Sequence, residues 1–187
     1  MTTKNSNEKI LIVDFLYLDL DVCTRCQDSE TSLDDSLQTL IDILDGIGHK
    51  IKLNKIYIET EEQAIAQQFI SSPTIRINGQ DIQMTVEESY CATCSSLTND
   101  ASVDCRTWKY KGKDYSAPPQ ALIIDAILHE IYSDKPMEEN HASPITSNDF
   151  QLSENLKSYF SNRDKLCKNI GQTPSTSESC YGSSVCC

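Results

Sequence analysis

The chain has 187 residues, 39% of them hydrophobic. That suits one domain of roughly 100–150 residues with a real core and an appendage. The formal net charge of −12 argues against a nucleic-acid face and against an anionic membrane surface, since no Lys/Arg cluster escapes it.

The opening MTTKNSNEK lacks the apolar stretch of a signal peptide. No apolar run approaches the ~20 residues of a membrane span. The expectation is a cytoplasmic chain in a reducing compartment, with residues 1–8 disordered. KILIVDFLYLDL (9–20) is nearly continuously apolar from Ile10 to Tyr17, which predicts a buried strand. Cys23 and Cys26 follow. SETSLDDSLQTLIDILDGIGHK places Leu33, Leu37, Leu40, Ile41 and Leu44 at helical spacing, with Ser29 or Thr31 as cap and Gly46 and Gly48 as stop. HKIKLNKIYIE (49–59) alternates like a strand. TEEQAIAQQFI (60–70) opens with Thr60 and acids, a short-helix start.

SSPTIRINGQDIQMTV (71–86) reads as two strands joined at Asn78-Gly79, a hairpin signal. Residues 87–118 read as irregular and cysteine-bearing. Within them Trp108, Tyr110 and Tyr115 alternate with Lys109, Lys111 and Lys113 around Gly112. That reads as a hairpin, not a nucleic-acid platform. PPQALIIDAILHEIY (118–132) is a final amphipathic core helix with proline in its first turn. Residues 134–148 read as a linker and 149–170 as one more helix, ended by Gly171 and Pro174. Residues 171–187 are Ser/Thr-rich and read as a flexible, cysteine-bearing tail. The predicted order over 9–133 is strand, helix, strand, helix, strand, strand, helix. A right-handed crossover makes the first two strands parallel neighbours.

This order, a C-x-x-C after the first strand and Ser-Pro-Thr opening the third resemble the thioredoxin fold. The resemblance implies a cis Ser72–Pro73 bond and Ser72 backbone presented to Cys23 and Cys26. LYLDLDVCTRC, SSPTIRINGQDI, ESYCATCSSL, VDCRTWKYKGKDY and PPQALIIDAILHEIY together resemble a thioredoxin-like prokaryotic family catalogued only as a domain of unknown function. That likeness covers about residues 9–133 and implies a thioredoxin-like α/β fold with a cysteine-bearing insertion before the last core helix. The chain departs from ordinary thioredoxins. CTRC replaces the Gly-Pro dithiol signature, and Tyr17 stands where thioredoxins carry a buried carboxylate.

There are nine cysteines, which in a reducing compartment point to metal binding or thiol chemistry. Cys23 and Cys26 sit near a helix N-terminus, where the macrodipole and Arg25 favour a thiolate while Asp19 and Asp21 oppose it. Cys91, Cys94 and Cys105 suit a three-thiolate zinc or iron–sulfur arrangement, with Asp104, a distant cysteine or water as fourth ligand. A disulfide or free thiols are the alternative. The insertion would fold back toward Cys23 and Cys26 and gather five sulfurs. Cys186 and Cys187, with Cys180 upstream, resist forming a vicinal disulfide because adjacent α-carbons lie only ~3.8 Å apart. Two adjacent thiols suit Hg, As or Cu-class ions, and the arm resembles the terminal cysteines by which mercuric reductases pass on their metal. Thioredoxin-fold arsenite chaperones likewise use vicinal cysteines. Cys167 reads as buried. His49, His129 and His141 form no ligand spacing.

The leading expectation is a thiol protein that binds and transfers a soft metal or metalloid ion. Exchange would run between Cys23/Cys26 at the Ser72–Pro73 loop and Cys186/Cys187, with Cys91, Cys94 and Cys105 completing the site. The second is a thiol–disulfide oxidoreductase, in which Cys23 attacks, Cys26 resolves and the tail relays electrons from a thiol-bearing partner. The third is a structural zinc or iron–sulfur adaptor. The Ser-Pro-Thr context weighs against Cys23 and Cys26 being half of a structural zinc site.

Overall fold

The computed structural model describes residues 8–98, 102–133 and 150–169, with side chains to residue 163. The tail cysteines Cys180, Cys186 and Cys187, the expected linker and residues 1–7 lie outside the described residues, as does the side chain of Cys167.

Strand β1 (Lys9–Tyr17) leads into helix α1 (Thr24–Gly46), strand β2 (His49–Tyr57) and helix α2 (Glu61–Ala66). A hairpin of β3 (Thr74–Ile77) and β4 (Gln80–Asp81) follows. These strands form one sheet in the order β2-β1-β3-β4. β1 and β2 are parallel, β1 and β3 antiparallel. Helix α4 (Gln120–Tyr132) closes this predicted series, and the chain is a mixed α/β protein. The β3–β4 turn rests on Asn78 and Gly79, both at positive φ, the backbone that a two-residue hairpin of this twist requires.

Residues 87–118 are not irregular, as the sequence suggested. They hold β5 (Glu87–Tyr90), the short helix α3 (Ala92–Ser96), β6 (Asp104–Tyr110) and β7 (Lys113–Tyr115), with β5-β6-β7 forming a second sheet. The β6–β7 turn is the expected hairpin, with Lys111 and Gly112 at positive φ. The last helix, α5 (Glu154–Asn169), falls inside its expected span.

Alternation along β1 feeds two cores. Leu11, Val13 and Phe15 join Leu33, Leu40 and Leu44 of α1 with Ile123 and Ile127 of α4. Leu16 and Leu18 enter the second core, which contains Cys23, Cys26, Cys91, Cys94 and Cys105 and is covered by Leu152, just ahead of α5, and by Leu156, Tyr159 and Phe160 along it. The cysteines therefore lie on the face of β1 opposite α1's leucines.

The two sheets are joined by Arg106. Its side chain is fully buried, binds Asp81 through two 2.8 Å bonds, donates to Thr74 Oγ1 at 2.9 Å and Gln83 O at 2.6 Å, and lies over the buried Trp108 ring. A bidentate carboxylate offsets the cost of burying the guanidinium. Asp81→Asn leaves that charge without its counter-ion. The expected loss is about 3–5 kcal/mol, read as a lowered urea midpoint with an unchanged slope.

Candidate metal centre

The turn Asp19–Cys23 sets the site. Asp19 Oδ1 accepts from the amides of Val22 at 2.6 Å and Cys23 at 3.4 Å. With the chain turned by this carboxylate, α1 begins at Thr24 with Cys23 as its N-cap. The expected caps, Ser29 and Thr31, instead lie inside the helix and return their hydroxyls to Arg25 O and Gln27 O. Cys23 thereby stands at the positive end of a long helix.

Cys91 and Cys94 occupy the corresponding start of α3, Cys91 as its N-cap. Ser95 folds this knuckle. Its hydroxyl donates to Cys91 O at 2.9 Å and accepts from Val103 N at 3.0 Å, while Cys91 N bonds Val103 O at 2.9 Å. Cys105 points in from β6. The β6 backbone is fastened to the first sheet where Arg106 N donates to Ser72 O at 2.8 Å.

The result is a convergence of four sulfurs. One Sγ each from Cys23, Cys91, Cys94 and Cys105 lie within 4.8 Å of one another. Cys94 Sγ is 3.2 Å from Cys23 Sγ and 3.2 Å from Cys105 Sγ. All four are free thiols, none more than 3% exposed. The distant cysteine that the C-x-x-C…C set lacked is Cys23, 71 residues from Cys94.

The expected Cys23/Cys26 couple is divided. Cys26 falls outside the four-sulfur group; its Sγ lies 3.4 Å from Ser72 Oγ, although it is buried in the same core as Cys23. The Ser72–Pro73 bond is cis. The Ser72 contribution differs from expectation, because its carbonyl is used by Arg106 and its hydroxyl, which also accepts from Leu18 N at 3.2 Å, is what meets Cys26. Asp104 offers no ligand to the group; its backbone amide and carbonyl are bound by Asn155 of α5 at 3.0 and 2.8 Å.

The four thiols do not share protons evenly. Hydrogen bonds, from Cys105 first and then from Cys26, Cys91 and Cys94, hold Cys23 far below an ordinary thiol. A bond from Cys105 chiefly brings Cys91 down to about 6. Cys94 is pushed up by its bonds to Cys105, Cys23 and Cys91 together with burial. Cys105 is pushed up chiefly by Cys23, and Cys26 by Cys23 and by burial. At neutral pH the free site therefore carries thiolates at Cys23 and Cys91 and protons at Cys94 and Cys105. A divalent ion taken by all four displaces two protons. Its apparent affinity drops about 100-fold for each unit of falling pH. Below about 6, where Cys91 protonates, the slope steepens toward three protons. Competition titrations between pH 5 and 8 read both slopes.

Arg106 and Asn155 are the supporting residues that the sequence did not single out: Arg106 stands unremarked beside Cys105, and Asn155 lies in no motif. Among the described residues, no helix is long and apolar enough to cross a membrane. No curated protein and no solved structure matches the chain. A family model described as a domain of unknown function, DUF2703, matches residues 11–127. That span includes all four convergent cysteines and more than half of the chain, so the protein belongs to the DUF2703 family.

Proposed function

We propose that the protein holds one zinc-class ion through Cys23, Cys91, Cys94 and Cys105, in a thioredoxin-like domain. The observation that carries this reading is the mutual approach of the four sulfurs within 4.8 Å. Tetrahedral zinc with ~2.3 Å bonds separates its sulfurs by about 3.8 Å, inside that limit. A polynuclear iron–sulfur cluster distributes its thiolates over several irons and spreads them farther, so the packing favours a single ion. The burial of all four sulfurs suits a closed coordination sphere of the structural kind. Such an ion supplies a four-way cross-link between the start of α1 and the β5–β6 segment. The sheet order β2-β1-β3-β4, with helices in the order expected from the sequence, supports the thioredoxin-like reading.

A second reading, soft-ion transfer by thiolate exchange, draws on Cys26. It is a fifth sulfur beside Cys23 and outside the group of four. An incoming ion or an accepting protein thiol exchanges ligands there, one sulfur at a time, with Cys186 and Cys187 as the delivery pair.

Metal analysis of anaerobically purified protein tests the centre. One zinc-class ion per chain and no visible absorbance are expected; absence of bound metal sinks the proposal. Cys26→Ser separates the readings. A closed centre keeps its stoichiometry, and its affinity stays within about threefold, because serine preserves the contact with Ser72 and the four ligands are intact. Transfer of Hg(II) to a thiol acceptor slows at least tenfold only if Cys26 takes part in exchange.

A further inference from the structure

We infer that Arg25 is a positioning residue for the metal centre, the side chain that holds Cys23 against the other three ligands. This inference rests on the four-thiolate reading above. Three of the four cysteines share the segment 91–105, whereas Cys23 arrives from the far end of the domain. Something must fix the start of α1 to that segment.

Arg25 lies two residues beyond Cys23, half-buried in the first turn of α1. Its Nη1 donates to Ser89 Oγ at 2.9 Å and Cys105 O at 3.1 Å, with longer contacts to Ser89 O at 3.4 Å and Arg106 O at 3.5 Å. Its Nη2 donates to Tyr90 O at 2.9 Å. Tyr90 directly precedes Cys91, and Cys105 is itself a ligand. Ser89 and Cys105 face each other in the β5–β6 register. One planar cation thus grips both strands at the level where they present sulfur. The rigid fork of guanidinium donors makes this possible; a lysine ammonium reaches one such carbonyl cluster but not both.

Outer groups that orient ligands are typically worth 10–100-fold in metal affinity. The closing experiment follows Co²⁺ in the full-length protein by its thiolate-to-metal absorption, whose intensity counts Co–S bonds. Wild type is expected to show the four-thiolate intensity. Arg25→Gln is expected to bind one Co²⁺ with roughly 10–100-fold lower affinity and with an intensity between those of wild type and Cys23→Ser. Adding Arg25→Gln to Cys23→Ser is expected to cost nothing further, because both act on the same ligand. Arg25→Lys is expected to fall between wild type and Arg25→Gln.

A four-thiolate spectrum with wild-type affinity in Arg25→Gln overturns the inference, as do losses that add in the double variant. Should Arg25→Gln fail to fold, Arg25→Lys decides the matter: a wild-type spectrum and affinity there overturn it equally. A wild type that takes up no Co²⁺ overturns the centre itself, which is a distinct result.

Discussion

Cys94→Ser is expected to lower the affinity for zinc about 10²–10³-fold and to bring the metal-loaded protein's melting temperature down to that of the metal-free chain at limiting zinc. Cys94 is the hub of the group, 3.2 Å from the sulfurs of both Cys23 and Cys105. A structural zinc site contributes roughly 10–16 kcal/mol through four ligands. One thiolate's share is about 2.5–4 kcal/mol, which corresponds to the stated loss in affinity. Serine is nearly isosteric, so packing contributes little to the change, and the metal-free variant should melt within a few degrees of the metal-free wild type. Isothermal titration against a competing chelator, alongside calorimetry with and without zinc, reads both. Equal affinities in variant and wild type would mean that the four sulfurs do not act as one coordination sphere.

The same residue marks how far the sequence could be read. The first core is legible because its signal is periodic. Leucines recur along α1, and alternation along β1 and β2 names the strands. The Asn78-Gly79 turn is legible because its backbone demands those residues. Cys91, Cys94 and Cys105 stand out by their spacing as a candidate metal set, with a disulfide or free thiols as the alternative. The fourth ligand is legible only in outline: the expected fold-back of the insertion brings it toward both Cys23 and Cys26, and which of the two completes the set depends on how the start of α1 packs on β6.

The missed strand β5 and the missed start of β6 have a different cause. β5 reads Glu-Glu-Ser-Tyr and is almost wholly exposed, so it carries no apolar alternation to find. Its neighbour β6 buries Arg106 between Cys105 and Trp108, an arrangement that breaks the usual sign of burial. An arginine goes inside only when its partners are assembled around it, and Asp81 and Thr74 come from another sheet. The early start of α1 escaped because a cysteine caps it while Asp19 four residues back binds the amides. That carboxylate holds the turn ahead of the helix, at the amides of Val22 and Cys23, and not the first-turn amides that a Ser or Thr cap binds.

Leu156→Ala is expected to accelerate release of the bound ion about 10²-fold while leaving one ion per chain at equilibrium. Helix α5 lies beyond the segment matched by the family model, yet its Leu156, Tyr159 and Phe160 are packed into the same core as the four ligands. The helix is also pinned at both ends of the site. Asn155 binds the backbone of Asp104, next to Cys105, and the carboxylate of Glu88 at 3.0 Å. Arg163 reaches Tyr57 Oη at 3.2 Å and the carbonyl of Glu59. An ion enclosed in this way leaves when the cover lifts, and the rate follows the small population in which α5 is undocked. Removing a buried leucine side chain costs about 2–5 kcal/mol. A loss of ~3 kcal/mol confined to docking raises that population about 10²-fold. The four ligands are untouched, so affinity changes far less than rate. Asn155→Ala acts in the same sense and more weakly, near tenfold, since it removes hydrogen bonds rather than core volume. Stopped-flow transfer of zinc to a chromophoric chelator in excess measures each rate. Release unchanged in Leu156→Ala would place the exit on the opposite side, between Arg25 and β5, where the cover is a set of hydrogen bonds instead of a helix.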